Sequence, residues 1–310
     1  MREGTAEEAA HESGGGSDSD SHSRSHPLDE GRYLYCAVRT GDDGRGEDEG
    51  NGGDGADGGG RSPLDASGID DEPVFLIETD GVGFVVHERA EPYDADDPTL
   101  VRRWLLAHQR VIDAAGERFG TPIPFRFDTL ARGDDDGVRE LIDERREAFV
   151  DALDDLRGHW EYRIEVVSDP EAVEAAVLDE DDDLAALRER VEGAEGGTRH
   201  LLEKQYEQRL ARARRARGGD RTDALAARLD DHAREVRALP RDRQTAGLVE
   251  RDDGDTLARL AVLASEAGAD AIGGVLDDVA VEPGVEVRYT GPWPPYTFAP
   301  SLEEDDDGAA

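Results

Sequence analysis

The chain predicts an α+β fold in two successive units, and three features of its patterning carry that prediction. Apolar runs flank a tight Asp80-Gly81 turn, as in a β-hairpin. Apolar residues recur every three or four positions after Asp97-Pro98, as in an amphipathic helix. Asp169-Pro170 then opens a second regime of highly charged helices, which closes on another alternating strand. At 310 residues the chain is long enough for two ordinary domains, each with its own core. The boundaries fall at 31–168, with an insert at 41–68, and at 169–301, between acidic tails at 1–30 and 302–310.

Residues 1–30 are polar and of low complexity, and Gly41 to Gly60 is nearly all Gly, Asp and Glu. Neither stretch has enough apolar surface to offset the entropy of ordering, so both are expected to be disordered, the insert as far as residue 68. Tyr33 to Val38 is a short apolar strand with Cys36 at a buried position. Val74–Ile77 and Val82–His87 form the hairpin. Asp97 caps and Pro98 starts a helix carrying Leu100, Trp104, His108, Val111 and Ala115, predicted to end near Gly116. Thr121 to Phe127, with prolines at 122 and 124, reads as an extended edge segment. One helix is predicted from Val138 through Leu156 to Gly158, then a strand over His159–Val167 in which Trp160, Tyr162, Ile164 and Val166 alternate with charged residues.

In the second unit Leu184, Leu187 and Val191, then Leu202, Tyr206 and Leu210, then Leu225, Leu229, His232, Val236 and Leu239 follow helical spacing. Glycines at 193–197 and at 218–219 divide them, which suits a helical hairpin or short antiparallel coiled coil over about 172–239. A strand at Ala246–Glu250, a helix after Asp255 with Leu257, Leu260 and Ala264, and a strand with Val285, Val287 and Tyr289 complete the pattern.

Charge excludes several classes of partner. With 75 acidic and 36 basic residues the formal net charge is −39, and Lys204 is the only lysine. Such a surface repels nucleic acid and anionic membranes, so neither is expected as a partner. Acidity spread along the whole chain fits solubility in concentrated salt, where charges are screened within about 3 Å. One cysteine excludes an internal disulfide framework, and no apolar stretch approaches the ~18 residues that span a bilayer. An intracellular, cytoplasmic protein is expected.

No motif supplies chemistry. His22 and His26 stand four apart, but in a Ser/Gly tail; His87, His108, His159, His200 and His232 are scattered without ligand spacing, as satisfied core or surface histidines would be. The Gly/Asp loop lacks the calcium-loop pattern. Gly81-Val82-Gly83 lacks the third glycine of a dinucleotide fingerprint, and neither a phosphate-binding loop nor a nucleophile elbow occurs. No catalytic residue, cofactor or metal is predicted. Arg209, Arg212, Arg214, Arg215 and Arg217 read as a helix face neutralising neighbouring carboxylates rather than as an anion site.

The candidate site is the Pro/aromatic run over 291–298, with Gly291, Pro292, Trp293, Pro294, Pro295, Tyr296 and Phe298 as its binding residues. Prolines restrict its backbone while three rings offer apolar area, so it can present a stiff docking surface to a partner without forming a helix. The alternative is a tail that folds back to pack Trp293, Tyr296 and Phe298 on its own domain; the two agree if the segment lines a groove.

A strand ending in this Gly-Pro-Trp-Pro-Pro-Tyr-Thr-Phe run resembles the C-terminal signature of the gas vesicle protein F/L family. Tyr33 to Val38 is similar to the family's first strand, Thr121 to Phe127 to its Pro-rich segment after the first helix, and Gly158 to Val167 to the stretch before its helical region. The resemblance spans most of residues 32–300 and points to a GvpL-like member from a halophilic archaeon. The chain departs from the family in its acidic insert, in Asp128 where glycine is usual and in Thr297 where serine is common.

The resemblance implies two ferredoxin-like α+β modules with a helical portion. It also implies a minor component or assembly factor of gas vesicles, the hollow shells that give buoyancy, engaging the hydrophobic shell protein and other accessory proteins and limiting their aggregation. Two alternatives stand beside it: an acidic coiled-coil adaptor unrelated to vesicles, and a hydrolase or metal enzyme with a polar pocket at His108 and His159.

Overall fold

The computed structural model describes residues 30–41, 61–240 and 255–300. The expected disorder of 1–29, 42–60 and 301–310 and the strand at Ala246–Glu250 lie outside the described residues. In chain order the first part comprises β1 (Gly31–Arg39), β2 (Ser62–Ser67), β3 (Pro73–Thr79), β4 (Val82–Glu88), α1 (Pro98–Phe119), β5 (Ile123–Pro124), β6 (Leu130–Arg132), α2 (Asp135–Glu144) and α3 (Arg146–Leu156). Its sheet is antiparallel with the order β2-β3-β4-β1-β5, β6 also pairing with β1. Asp80 and Gly81 close the β3–β4 hairpin with φ of 46° and 84°, the left-handed pair that two-residue hairpins use.

Both faces of this sheet are covered, which is why β1 is a continuous apolar run instead of an alternating one. On one face Leu34, Phe84 and Phe125 pack with Ile142 of α2 and Phe149 and Leu153 of α3. On the other, Tyr33, Tyr35 and Val85 pack with Trp104, Val111 and Ile112 of α1.

Three features differ from expectation here. The insert gives way to ordered chain before residue 68: Ser62–Ser67 pairs with β3 and buries Leu64, the one large apolar side chain that could have announced it. The single helix over 138–156 is two, broken at Arg145 (φ −120°, ψ 15°) inside the polar run Glu144–Glu147, where neither Gly nor Pro marks a break. Helix α1 continues through Gly116 to Phe119, because Gly116 serves packing and not termination: a Cβ there would lie 2.9 Å from the Trp160 ring. Gly116→Val is therefore expected to lower stability by about 1–3 kcal/mol, read as a reduced denaturant midpoint.

The second part comprises β7 (Trp160–Ser168), α4 (Pro170–Glu180), α5 (Asp182–Glu192), α6 (Gly196–Asp230), β8 (Glu235–Ala238), β9 (Asp255–Ala264), α7 (Glu266–Ala280) and β10 (Val285–Trp293). Its antiparallel sheet has the order β10-β7-β9-β8. One face, from Ile164, Leu260, Val262 and Val287, is covered by Leu225 and Leu229 of α6 and by Ile272 and Leu276 of α7. Ala261 and Leu263, on the other face of β9, join the first core together with Leu156 and Phe298. β7, grouped with the first unit on sequence, is hydrogen-bonded within this second sheet.

Gly218-Gly219 does not interrupt α6, which runs for 35 residues. Gly218 is buried in it, and Thr222 Oγ1 donates to its carbonyl at 2.7 Å and lies 3.1 Å from the Leu257 carbonyl of β9. Val236, expected in the helix, pairs in β8. Leu257, Leu260 and Ala264, read as a helix, lie in β9: a central strand buried on both faces is apolar at every step, and a short apolar run satisfies helical spacing by default. The helix of this stretch is α7, one element later, capped by Ser265 Oγ accepting from the Gly268 N–H.

The arginines of α6 behave as expected for a neutralising face. Arg209 pairs with Asp181 and Asp183, Arg214 with Glu174, and Arg217 with Glu180.

Candidate docking surface

β10 carries the chain out to Trp293, and the Pro/aromatic run then folds back between the two sheets. Gly291 has φ 136°, and a Cβ there would stand 2.8 Å from the Glu161 carbonyl, so only glycine lets β10 run this close to β7. Pro294 and Pro295 are buried, and the Pro295 carbonyl accepts the N–H groups of Phe298 at 3.1 Å and Ala299 at 2.8 Å in a tight turn. Tyr296 is half-buried, with its hydroxyl 3.3 Å from Gln109 Oε1 of α1; burial pushes its pKa up. Phe298 enters the first core under the Arg237 guanidinium, 4.7 Å from the ring centre.

Glu161 of β7 fixes this turn. Its side chain has 0% exposure; Oε2 accepts the Thr297 N–H at 2.6 Å, and Oε1 accepts the Thr297 hydroxyl at 2.8 Å and Arg163 Nε at 2.9 Å. A buried carboxylate is tolerated when its lone pairs are satisfied in this way.

Of the seven residues singled out on sequence, Pro294, Pro295, Tyr296 and Phe298 anchor the segment, while Gly291, Pro292 and Trp293 face outward. Trp293 is 40% exposed and its Nε1 lies 3.4 Å from Thr290 Oγ1. It borders a groove of about 430 Å³ whose floor is the polar face of the second sheet: Arg163 and Glu165 of β7, Arg259 of β9 and Arg288 of β10, with Tyr296 and Gln109 on the far wall. Arg288 and Arg259 approach Glu165 from the two flanking strands at 3.5 and 3.7 Å. The alternation Glu161-Arg163-Glu165 announced a polar face in the sequence; what it did not announce is that the returning segment covers Glu161 and leaves Arg163 at the opening.

The histidines lie elsewhere. His108 is buried, its Nε2 3.2 Å from the Phe125 carbonyl and its Nδ1 2.9 Å from the Tyr33 hydroxyl; His87 sits between the hydroxyls of Tyr35 and Tyr93. Because a carbonyl only accepts, His108 carries its proton on Nε2 and takes the Tyr33 hydroxyl proton on Nδ1. Desolvation lowers both imidazoles to a pKa of about 4. His159 is apart from them, with its Nδ1 2.9 Å from the Arg157 carbonyl. Among the described residues no group of three or more His, Cys, Asp or Glu is placed to hold a metal ion, and no helix is long and apolar enough to cross a membrane.

Residues 31–300, from the first strand to the end of the Pro/aromatic turn, match the family described as "Gas vesicle synthesis protein GvpL/GvpF". The chain belongs to the GvpL/GvpF family. It is 40% identical over 283 residues to gas vesicle protein L2 of Halobacterium salinarum, covering 91% of this chain and 96% of that one. It is 39% identical over 236 residues to gas vesicle protein L of Haloferax mediterranei, covering 76% and 73%. Both are L proteins of halophilic archaea, in keeping with the GvpL-like, salt-adapted reading of the acidic composition. The crystal structure of GvpF from an Anabaena species superposes with a TM-score of 0.64 at 22% identity, covering 88% of this chain and all of that one, so the mixed α+β arrangement is the fold of GvpF. A GvpL/GvpF chain is a gas vesicle protein, which gives this molecule a vesicle-related role.

Proposed function

We propose that this GvpL/GvpF chain is a cytoplasmic accessory protein of gas vesicles, a minor vesicle component or an assembly and nucleation factor. In this reading it holds the hydrophobic shell protein, or another accessory protein bound to it, at the Trp293 end of the second sheet and limits aggregation of the captured subunits. One observation carries the proposal: a large aromatic side chain stands 40% exposed on a segment otherwise pinned by buried contacts. The charge of −39 keeps such a complex soluble in concentrated salt.

The second unit supports the ferredoxin-like reading through its order of elements, strand-helices-strand-strand-helix-strand with β10 beside β7 and β9 inside β8. Packing of α4 and α5 on α6, tied by Arg214 to Glu174 and by Arg209 to Asp183, would supply the helical surface for further partners.

The experiment is co-expression with a shell protein in high salt, followed by pull-down. Trp293→Ala is the informative variant, because Tyr296 is bonded to α1 and its removal would disturb the fold as well as the surface. Capture is expected to fall at least about tenfold in Trp293→Ala, as for an aromatic hot spot, with the melting temperature unchanged. Undiminished capture by this variant removes Trp293 from the proposal.

A further inference from the structure

We propose that the groove beside Trp293 takes an extended acidic segment of a partner protein, its carboxylates on Arg163, Arg259 and Arg288 and an apolar side chain against Trp293. The inference rests on the docking surface proposed above and adds the chemistry of what docks there.

The first ground is charge. In a chain where acidic residues outnumber basic ones 75 to 36, the lining of this groove holds three arginines and one carboxylate, Glu165, while Glu161 and Glu286, which pair with Arg163 and Arg288, lie outside that lining. The arrangement follows from register: Arg288, Glu165 and Arg259 stand opposite one another across β10, β7 and β9, and Arg163 is two residues along β7 on the same face. The second ground is preorganisation. Arg163 is held through Nε by Glu161 at 2.9 Å, Arg288 through Nε by Glu286 at 2.7 Å, and Arg259 through Nη1 by the Pro240 carbonyl at 2.8 Å. A guanidinium has five N–H donors in a planar fork, so these side chains, held by one partner at Arg163 and by two at Arg288, which also reaches Glu165 at 3.5 Å, keep further donors oriented for an incoming carboxylate at little further entropic cost.

Complementarity then narrows the occupant. A wholly apolar segment would strip water from three guanidiniums without replacing its hydrogen bonds, and a basic one would add like charge. Same-side carboxylates on an extended segment lie about 7 Å apart, a spacing that side chains on neighbouring strands can meet. In molar salt the Debye length is about 3 Å, so only contact pairs discriminate, and those in a partly enclosed groove are the least screened.

The test uses the full chain in molar KCl and a fluorescent decapeptide of alternating Glu and Ser with one central Leu. Matched probes carry Gln or Lys in place of Glu, and binding is read by anisotropy. The acidic probe is expected to bind at least about tenfold more tightly than either control, as charge-assisted bonds to arginine require. R163Q/R259Q/R288Q should abolish that preference, and Trp293→Ala should weaken the acidic probe while leaving the preference in place. Because Arg259 and Arg288 flank Glu165 in the sheet, Arg163→Gln alone, on a half-exposed side chain, is the companion variant; it should weaken the acidic probe several-fold with circular dichroism unchanged. Equal binding of the acidic and Gln probes, an unaffected Arg163→Gln chain, or stronger binding of a single-stranded oligonucleotide than of the acidic probe overturns the inference. Shell-protein capture that still depends on Trp293 while the acidic probe shows no preference overturns the inference alone; loss of Trp293 dependence in capture overturns the reading beneath it.

Discussion

Replacing Glu161 by alanine is expected to release the Pro/aromatic segment and to cost about 2–4 kcal/mol of folding stability, the scale for losing two hydrogen bonds to a charged group. The substitution leaves the part-buried Thr297 N–H and hydroxyl without the carboxylate that accepts them. It also removes the Arg163 Nε partner, although that side chain is half-exposed and can turn to solvent. With its anchor gone the turn at Pro295 no longer holds Phe298 in the first core, so the two sheets lose a contact they share.

Two readouts separate this from ordinary destabilisation. The denaturant midpoint should drop, and limited proteolysis should cut between residues 293 and 300 under conditions where the rest of the chain is still folded. Glu161→Gln keeps one acceptor oxygen but turns an amide NH2 toward donors, so it should fall between wild type and alanine. Thr297→Val removes the hydroxyl bond and keeps the N–H bond, at about 1 kcal/mol. The double substitution should then be less damaging than the sum, because both changes act on one contact. Additive losses, or an intact proteolysis pattern in Glu161→Ala, would show that the segment is held by its apolar contacts alone.

What was legible in the sequence follows from how locally each feature is determined. The Asp80-Gly81 hairpin, the cap at Asp97-Pro98 and the alternation of β7 depend on neighbours within a few residues, and all three appear where the pattern placed them. The failures share a cause in long-range packing. Gly116 looks like a helix end until one knows that Trp160 presses against it, and Gly218 until one knows that it is buried within a helix of 35 residues. Leu257, Leu260 and Ala264 fit helical spacing until one knows that β9 is the strand buried on both sides. The candidate site divides the same way. Its Pro/aromatic residues were singled out from composition, whereas the roles of Glu161, Arg163, Arg259 and Arg288 arise from strands far apart in sequence, as in the register pair Glu165 and Arg288, 123 positions apart, which no local pattern encodes.

Lowering the pH should unfold this protein over a window set by His87 and His108, and the sign follows from linkage. Both imidazoles are buried neutral, with pKa values of about 4 in the folded chain against 6.5 for an ordinary histidine; desolvation is the main cause for each, and Arg89 adds to it at His87. Between those values the unfolded chain binds more protons than the folded one, so stability rises with pH there. The contribution of the neutral pair is complete above about pH 6.5 and is lost as pH falls toward 4, at up to about 1.4 kcal/mol per pH unit for each histidine. Protonation also breaks specific bonds: a proton on His108 Nδ1 meets a Tyr33 hydroxyl that the Asp128 N–H already donates to, leaving the hydroxyl proton without its acceptor. Ordinary carboxylates titrate mainly below about pH 4.5, so unfolding free energies measured from about pH 7 to 5 in molar KCl report chiefly on these two rings. In H87Q/H108Q, where the amides can replace an acceptor and a donor without titrating, the slope over that window should flatten by about half or more. A wild-type stability that is level from pH 7 to 5, or a variant slope equal to the wild-type one, would place the acid sensitivity outside the Tyr33–Tyr35–His87–His108 cluster.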